Sequence, residues 1–323
     1  MRAFAAAVVL VCAVQAQPSE AAGFAGPAEV ATLVTSGRAT SFVVAKTGRV
    51  AGAVCDDGKL LLWTLPDGRV LRKIDLGGRT IDAFVMSEDG GSIAVGDHAG
   101  GYTVWDTATG AERMSVNMPF YPAALAFSAD GRRLAIAPVG EPVQIHDPGS
   151  GRKLLELQRP TGGSEAVVFS RDGRRIATAD ADTAVRIYDA HTGVMLARNA
   201  DFLLEPLAAD FGADGKLIVA GGGDKVVAFL EITTGSAIRK SAKAADPVAY
   251  LEVSPDGALV AALLMHADDL LKPAPVLMLE TASGRTVQEW LPAGLVLGGR
   301  WTRDGHFLVA IASERALHIW RAR

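Results

Sequence analysis

Residues 166–193 read AVVFSRDGRRIATADADTAVRIYDAHTG, and their reading decides the fold. An apolar run leads into a turn at Asp172-Gly173. A second apolar run follows, then a short polar turn and the alternating segment Ala184–Asp189. Short runs of this kind broken by Asp-Gly are strands joined by tight hairpins, because glycine accepts positive φ at no steric cost. One such unit cannot bury both faces of its sheet. It requires copies on either side.

The copies are present. AALAFSADGRRLAIA (123–137), LAADFGADGKLIVAG (207–221), YLEVSPDGALVAALL (250–264) and LGGRWTRDGHFLVAI (297–311) share the first half of the pattern. DAFVMSEDGGSIAVG (82–96) shares it too, with a degenerate form at 41–54. The turn glycines Gly48, Gly90, Gly131, Gly173, Gly215, Gly257 and Gly305 are 42, 41, 42, 42, 42 and 48 residues apart, which makes seven units. Each unit divides into four short strands; in the second they are TIDAFVMS, GSIAVGD, GYTVWDT and AERMSVN. No segment keeps a 3.6-residue period, so an all-β chain without helices is expected.

The units resemble WD-repeat β-propeller blades over residues 28–323. The resemblance is carried by the blade endings VWDTATG (104–110), IHDPGSG (145–151) and IYDAHTG (187–193), with Trp63, Leu230, Leu279 and Trp320 in the same place less faithfully. It implies a seven-bladed propeller with four antiparallel strands per blade. It also implies turn acids six residues before the motif aromatic, which are Asp57, Asp182 and Asp224 here, with Glu314 as a substitute. In the family such an acid accepts backbone hydrogen bonds. The Gly-His dipeptide that opens a typical repeat is absent from every unit, so the family's Asp–His–Ser/Thr–Trp hydrogen-bond set is incomplete. The last unit stops after three strands, and the lone strand at 28–36 is expected to supply its fourth, closing the ring and covering its edge.

Composition narrows the function. The chain has 323 residues, 49% hydrophobic and 21% charged, with a net charge of -4 and no run of Lys and Arg, which disfavours a phosphate-tracking nucleic-acid surface. Arg2, the apolar core 4–14 and Val14-Gln15-Ala16 read as a cleavable signal peptide over 1–16, followed by a linker at 17–27. Eleven apolar residues are too few to span a bilayer, so no stable membrane insertion is expected after cleavage. The expected location is the bacterial periplasm or the exterior. With the signal removed Cys55 is the single cysteine, which leaves no disulfide, Cys-based metal cluster or haem-attachment motif.

No catalytic constellation emerges. The six histidines fall in different units and read as turn or strand-surface residues, and Gly221-Gly222-Gly223 reads as a strand-ending turn with no helix after it. No cofactor and no metal are expected. The segments that carry individuality lie between blades and at one insertion. The first group holds Phe120, Tyr121, Phe202 and Trp290 beside prolines, the placement either of interface anchors or of wedges between blades. The insertion, 266–275 (HADDLLKPAP), contributes His266, Asp268 and Asp269 and accounts for the long spacing. The turns between second and third strands are rich in acids, which either cap backbone N–H groups of the turns or form a surface that favours a cation or a basic partner. The expected function is a non-enzymatic, monomeric platform for a protein or peptide. The alternative is a periplasmic propeller enzyme or dehydrogenase subunit holding a metal or small molecule in its central channel. That alternative needs polar first-strand residues, and these are few: Asp82, Glu165, Asp210 and Glu252.

Overall fold

The computed structural model describes residues 27–158, 163–266, 268, 269, 271–313 and 315–321. The expected signal peptide, most of the linker and Glu314 lie outside these residues. Seven four-stranded antiparallel sheets make up the described chain, and no helix occurs among them. Six blades are consecutive in sequence; the first comprises Ala39–Val44, Val50–Cys55, Lys59–Thr64 and Val70–Asp75. The seventh takes Leu295–Trp301, Phe307–Ala312 and Ala316–Arg321 from the C-terminus, and its outermost strand, Ala28–Val34, from the N-terminus. The two ends meet in antiparallel register, with Thr32 opposite His318 and Leu33 opposite Leu317.

The core is divided in the way a ring demands. Buried side chains form seven apolar layers, one in each gap between neighbouring blades. The closing layer sets Leu33, Leu308, Leu317 and Ile319 against Phe42, Ala53 and Trp63. This arrangement explains why the third strands are buried at nearly every residue, as in Leu60–Trp63 and Ala184–Tyr188, although their sequences alternate. Each blade is covered on both faces by its neighbours, so alternation selects which gap a side chain fills. The histidines divide accordingly. His146 is buried rather than at the surface, and its Nδ1 lies 2.8 Å from the Tyr102 hydroxyl, joining blades 2 and 3.

The hairpins repeat one chemistry. The Ser170 hydroxyl donates to Asp172 (2.6 Å), Asp172 accepts the Arg174 N–H (3.0 Å), and Ser170 accepts the Arg175 N–H (2.9 Å). Gly173 closes the turn at φ +67°. The same Ser-x-Asp-Gly device recurs at 87–92, 128–133 and 254–259. The reading of Gly221-Gly222-Gly223 as a strand end also has a steric reason. A Cβ on Gly222 would stand 2.2 Å from the Glu205 carbonyl oxygen.

Blade 4 shows what replaces the missing Gly-His set. Asp180, with no solvent exposure, accepts hydrogen bonds from Ser164 (2.6 Å), Thr178 (3.0 Å) and Arg186 (2.6 Å). Arg186 also forks onto both oxygens of Asp182, at 2.8 and 2.5 Å. Asp182 therefore holds a guanidinium where the family pattern implied backbone N–H groups. Asp57 does accept a backbone N–H, from Lys59 at 3.2 Å, whereas Oδ1 of Asp224 is buried without a partner. In blade 1 the buried Trp63 indole N–H is likewise unpartnered.

Two outcomes follow for stability. Deleting residues up to about 40, or substituting Leu33→Ala, strips the closing layer; the point variant should cost about 2–5 kcal/mol in urea unfolding, and the deletion should melt far lower or aggregate. Unchanged melting of the shortened chain would contradict closure by this strand. Arg186→Met should cost roughly 3–5 kcal/mol by leaving Asp180 buried and uncompensated, and Asp180→Asn in the same chain should recover part of that loss.

Candidate functional site

The ring has two faces of different composition. One, the link face, gathers the links between blades and the turns joining second to third strands; the other, the hairpin face, gathers the remaining turns. Among the described residues the link-face loops carry ten Asp and Glu against six Lys and Arg, while the hairpin-face loops carry nine against eleven. Large exposed apolar side chains are also unequally shared. The link face presents Phe120, Val139, Leu203, Leu204, Leu271 and Leu291, whereas the hairpin-face loops present only Val194 among the described residues. Leu203 is 86% exposed, and its neighbour Leu204 is exposed beside it. Exposed apolar side chains gathered on one face mark interaction surfaces.

The sequence candidates distribute over this face unevenly. Phe120 is exposed in the link between blades 2 and 3. Tyr121 packs its ring on His98 at 4.4 Å between centroids, and His98 Nδ1 lies 3.0 Å from Asp82 rather than bonding the adjacent Asp97. Phe202 is only 6% exposed and belongs to the layer between blades 4 and 5; its neighbours Leu203 and Leu204 are the exposed ones. Trp290 ends the outer strand of blade 6 instead of lying in a link, and it packs half-buried on Trp320 at 5.7 Å. In the sequence nothing separates Leu203 and Leu204 from the aromatic Phe202 beside them, because the link carries no strand pattern to show which side chain faces out.

The insertion lies on the same face, at the channel mouth. His266 is held at both ring nitrogens, with Nδ1 3.0 Å from Asp246 and Nε2 2.9 Å from the Pro273 carbonyl. Asp269 accepts the Leu271 N–H at 3.1 Å, and Asp268 is exposed. His266, Lys272 and Ala274 border the central channel.

The channel has a volume of about 570 Å³ and is walled by the innermost strands of all seven blades. One repeat position, five residues before each turn glycine, contributes a lining residue from every blade. In blades 1 to 4 these are Val43, Val85, Ala126 and Val168; in blades 5 to 7 they are Asp210, Glu252 and Arg300. At this position one side of the channel is thus apolar and the other charged, while Lys46, Glu88, Glu165 and Arg171 add charges elsewhere in its lining. Asp82 and Glu165 fall at the irregular residue of their strands, three positions earlier, and do not join the cluster.

Both acids at this repeat position fasten blades. Asp210 accepts the Val253 N–H of the next blade at 2.8 Å, and Glu252 accepts the Trp301 N–H of the blade after it at 2.8 Å. Burial, reinforced by the Glu252 carboxylate, pushes Asp210 up to about 6. Toward the hairpin face Lys46 pairs with Glu88 at 2.8 Å and approaches Glu252 at 3.9 Å, and Arg303 reaches Glu88 at 3.5 Å. Burial would raise Glu88, but the Lys46 ammonium together with the Arg300 and Arg303 guanidiniums outweighs it and the carboxyl is held low. Arg171 crosses from blade 4 to the carbonyls of Val253, Ser254 and Pro255, at 3.3, 2.9 and 2.7 Å. Among the described residues no three His, Cys, Asp or Glu side chains gather as metal ligands.

A raised carboxyl pKa means the folded state binds the proton more tightly than the unfolded chain. Asp210 therefore contributes stability below about pH 4 that is lost as pH rises through 6. The stability of the native chain relative to Asp210→Asn should fall by on the order of 2 kcal/mol between pH 4 and pH 7 in parallel urea titrations. A constant difference would contradict the assignment.

Comparison with known proteins agrees with this geometry. The WD40 family model (WD domain, G-beta repeat) matches residues 151–189, from the end of blade 3 through the third strand of blade 4. Among solved structures, a chain in "Crystal Structure of Mitotic Checkpoint Complex" superposes with a TM-score of 0.78 at 17% identity, over 98% of each chain. No curated protein matches the sequence. The chain is a seven-bladed β-propeller, and its residues 151–189, running into blade 4, match the WD repeat.

Proposed function

We propose that the protein is an exported, non-enzymatic scaffold that binds a protein or peptide on its link face. The observation that carries this reading is the gathering of exposed Leu203, Leu204, Leu271 and Leu291 on one side of the ring. These side chains belong to the links entering blades 5 and 7 and to the insertion of blade 6, so they occupy one sector of the face. Acids surround them, including Asp201, Glu205, Asp268 and Asp269. A partner with an apolar strip flanked by Lys and Arg complements this sector in both chemistry and sign.

The scaffold reading also fits the rigidity of the ring. A face whose backbone is fixed by seven packed gaps loses little conformational entropy on binding, so its apolar contacts convert more fully into affinity. Export to the periplasm or beyond is proposed from the charged and apolar pattern of residues 1–16.

The test is affinity capture from periplasm with the native chain, Leu203→Glu/Leu204→Glu, and Arg132→Glu on the hairpin face. The link-face variant should lose at least about 10-fold of the captured partner, since burying two unpaired carboxylates costs more than 1.4 kcal/mol. The hairpin-face variant should retain it. Equal capture by all three, or loss only with Arg132→Glu, would overturn the reading.

A further inference from the structure

The channel floor contains hydrogen-bond donors that the protein does not use. At the position where Asp210 and Glu252 each accept an N–H from the following blade, blade 7 carries Arg300, which has donors only. Its Nε is buried without a hydrogen-bond partner, and its nearest carboxylate oxygen, on Glu252, lies 3.7 Å away. The Arg300 side chain makes no hydrogen bond to another described residue, although four-fifths of it is buried (20% exposed). Glu252 is already engaged by the Trp301 N–H at 2.8 Å and the Tyr250 hydroxyl at 3.3 Å. Lys46 spends one N–H on Glu88 and directs its charge to the same Glu252 oxygen that Arg300 approaches. Buried polar groups are almost always hydrogen-bonded, so a guanidinium whose ion pair with Glu252 is too long for a hydrogen bond calls for an outside acceptor beside this cavity.

The cavity beside it has room for one. The innermost strand of blade 7 is half-buried throughout Leu295–Arg300, whereas every other innermost strand buries at least two residues. Gly298 and Gly299 leave that wall without side chains just before Arg300. A channel of about 570 Å³ lies in the range of small-molecule sites. Its opposite wall is apolar at Val43, Val85 and Val168, while Lys46, Glu88 and Arg171 of those blades sit toward the hairpin end and are tied up in contacts there. Arg171 and the Lys46–Glu88–Arg303 group cross the hairpin end, which leaves the link face as the entrance.

From this geometry we infer that the channel binds a small amphiphilic oxyanion. Its carboxylate- or phosphate-type head sits on Arg300 and Lys46, and its apolar body lies against the valine wall of blades 1 to 4. The planar fork of Arg300 suits two oxygens of one head group. Glu88 and Glu252 oppose the anion and limit its affinity. Asp210, part-protonated near pH 6, opposes it less as pH falls. This site is independent of the partner surface proposed above, and the two are read by separate experiments.

Isothermal titration of the full chain with decanoate, and with decanol as the uncharged control, tests the inference. Decanoate should bind at one saturable site at least about 10-fold more tightly than decanol, and Arg300→Gln should remove that advantage while leaving decanol binding unchanged. Glu88→Gln, which releases Lys46 and removes a repelling charge, should tighten decanoate several-fold. It keeps the inference testable if Arg300→Gln misfolds. Decanoate binding no better than decanol, or unchanged by Arg300→Gln, would overturn the site, as would weaker or unaltered decanoate binding by Glu88→Gln.

Discussion

The pairing of Ala28–Val34 with Ala316–Arg321 is the contact on which the ring depends. Each of the other six sheets is built from one continuous stretch of chain, but this one is not, and without it the seventh blade ends in an open edge. Closure also completes the seventh apolar layer, since Leu33 is fully buried between blades 7 and 1. A ring closed in this way has no free end from which to fray. The geometry of both faces and of the channel follows from that constraint.

Much of this was legible in the sequence, for a physical reason. Turn glycines at a 42-residue period report the hairpins directly, because a left-handed backbone position selects glycine whatever surrounds it. The repeat count, the strand count and the closing strand all rest on that signal. Side-chain contacts between blades carry no such local mark. Arg186 looks like an exposed alternate residue of a strand, yet it is buried between Asp180 and Asp182. Phe202 looks like a surface anchor beside a proline, yet the gap between blades 4 and 5 takes it in.

The channel illustrates the same limit from the other side. Asp210, Glu252 and Arg300 occupy one repeat position in three successive units, so their convergence could be found by aligning the first strands on the turn glycine. Asp82 and Glu165 looked equivalent to them as acids but sit three positions earlier, at the irregularity each first strand contains. Register, not residue type, separates the two groups. Lys46 and Glu88 join from turns, where no strand pattern announces them.

We propose that the two faces of the ring differ in function, with recognition on the link face. Site-specific photo-crosslinking in cells that make the protein tests this most directly, with the reactive group placed at Leu203 on the link face or at Val194 on the hairpin face, both exposed. The account predicts a discrete crosslinked species from position 203 and none from position 194. A species from 194 alone, or the same species from both, would contradict it.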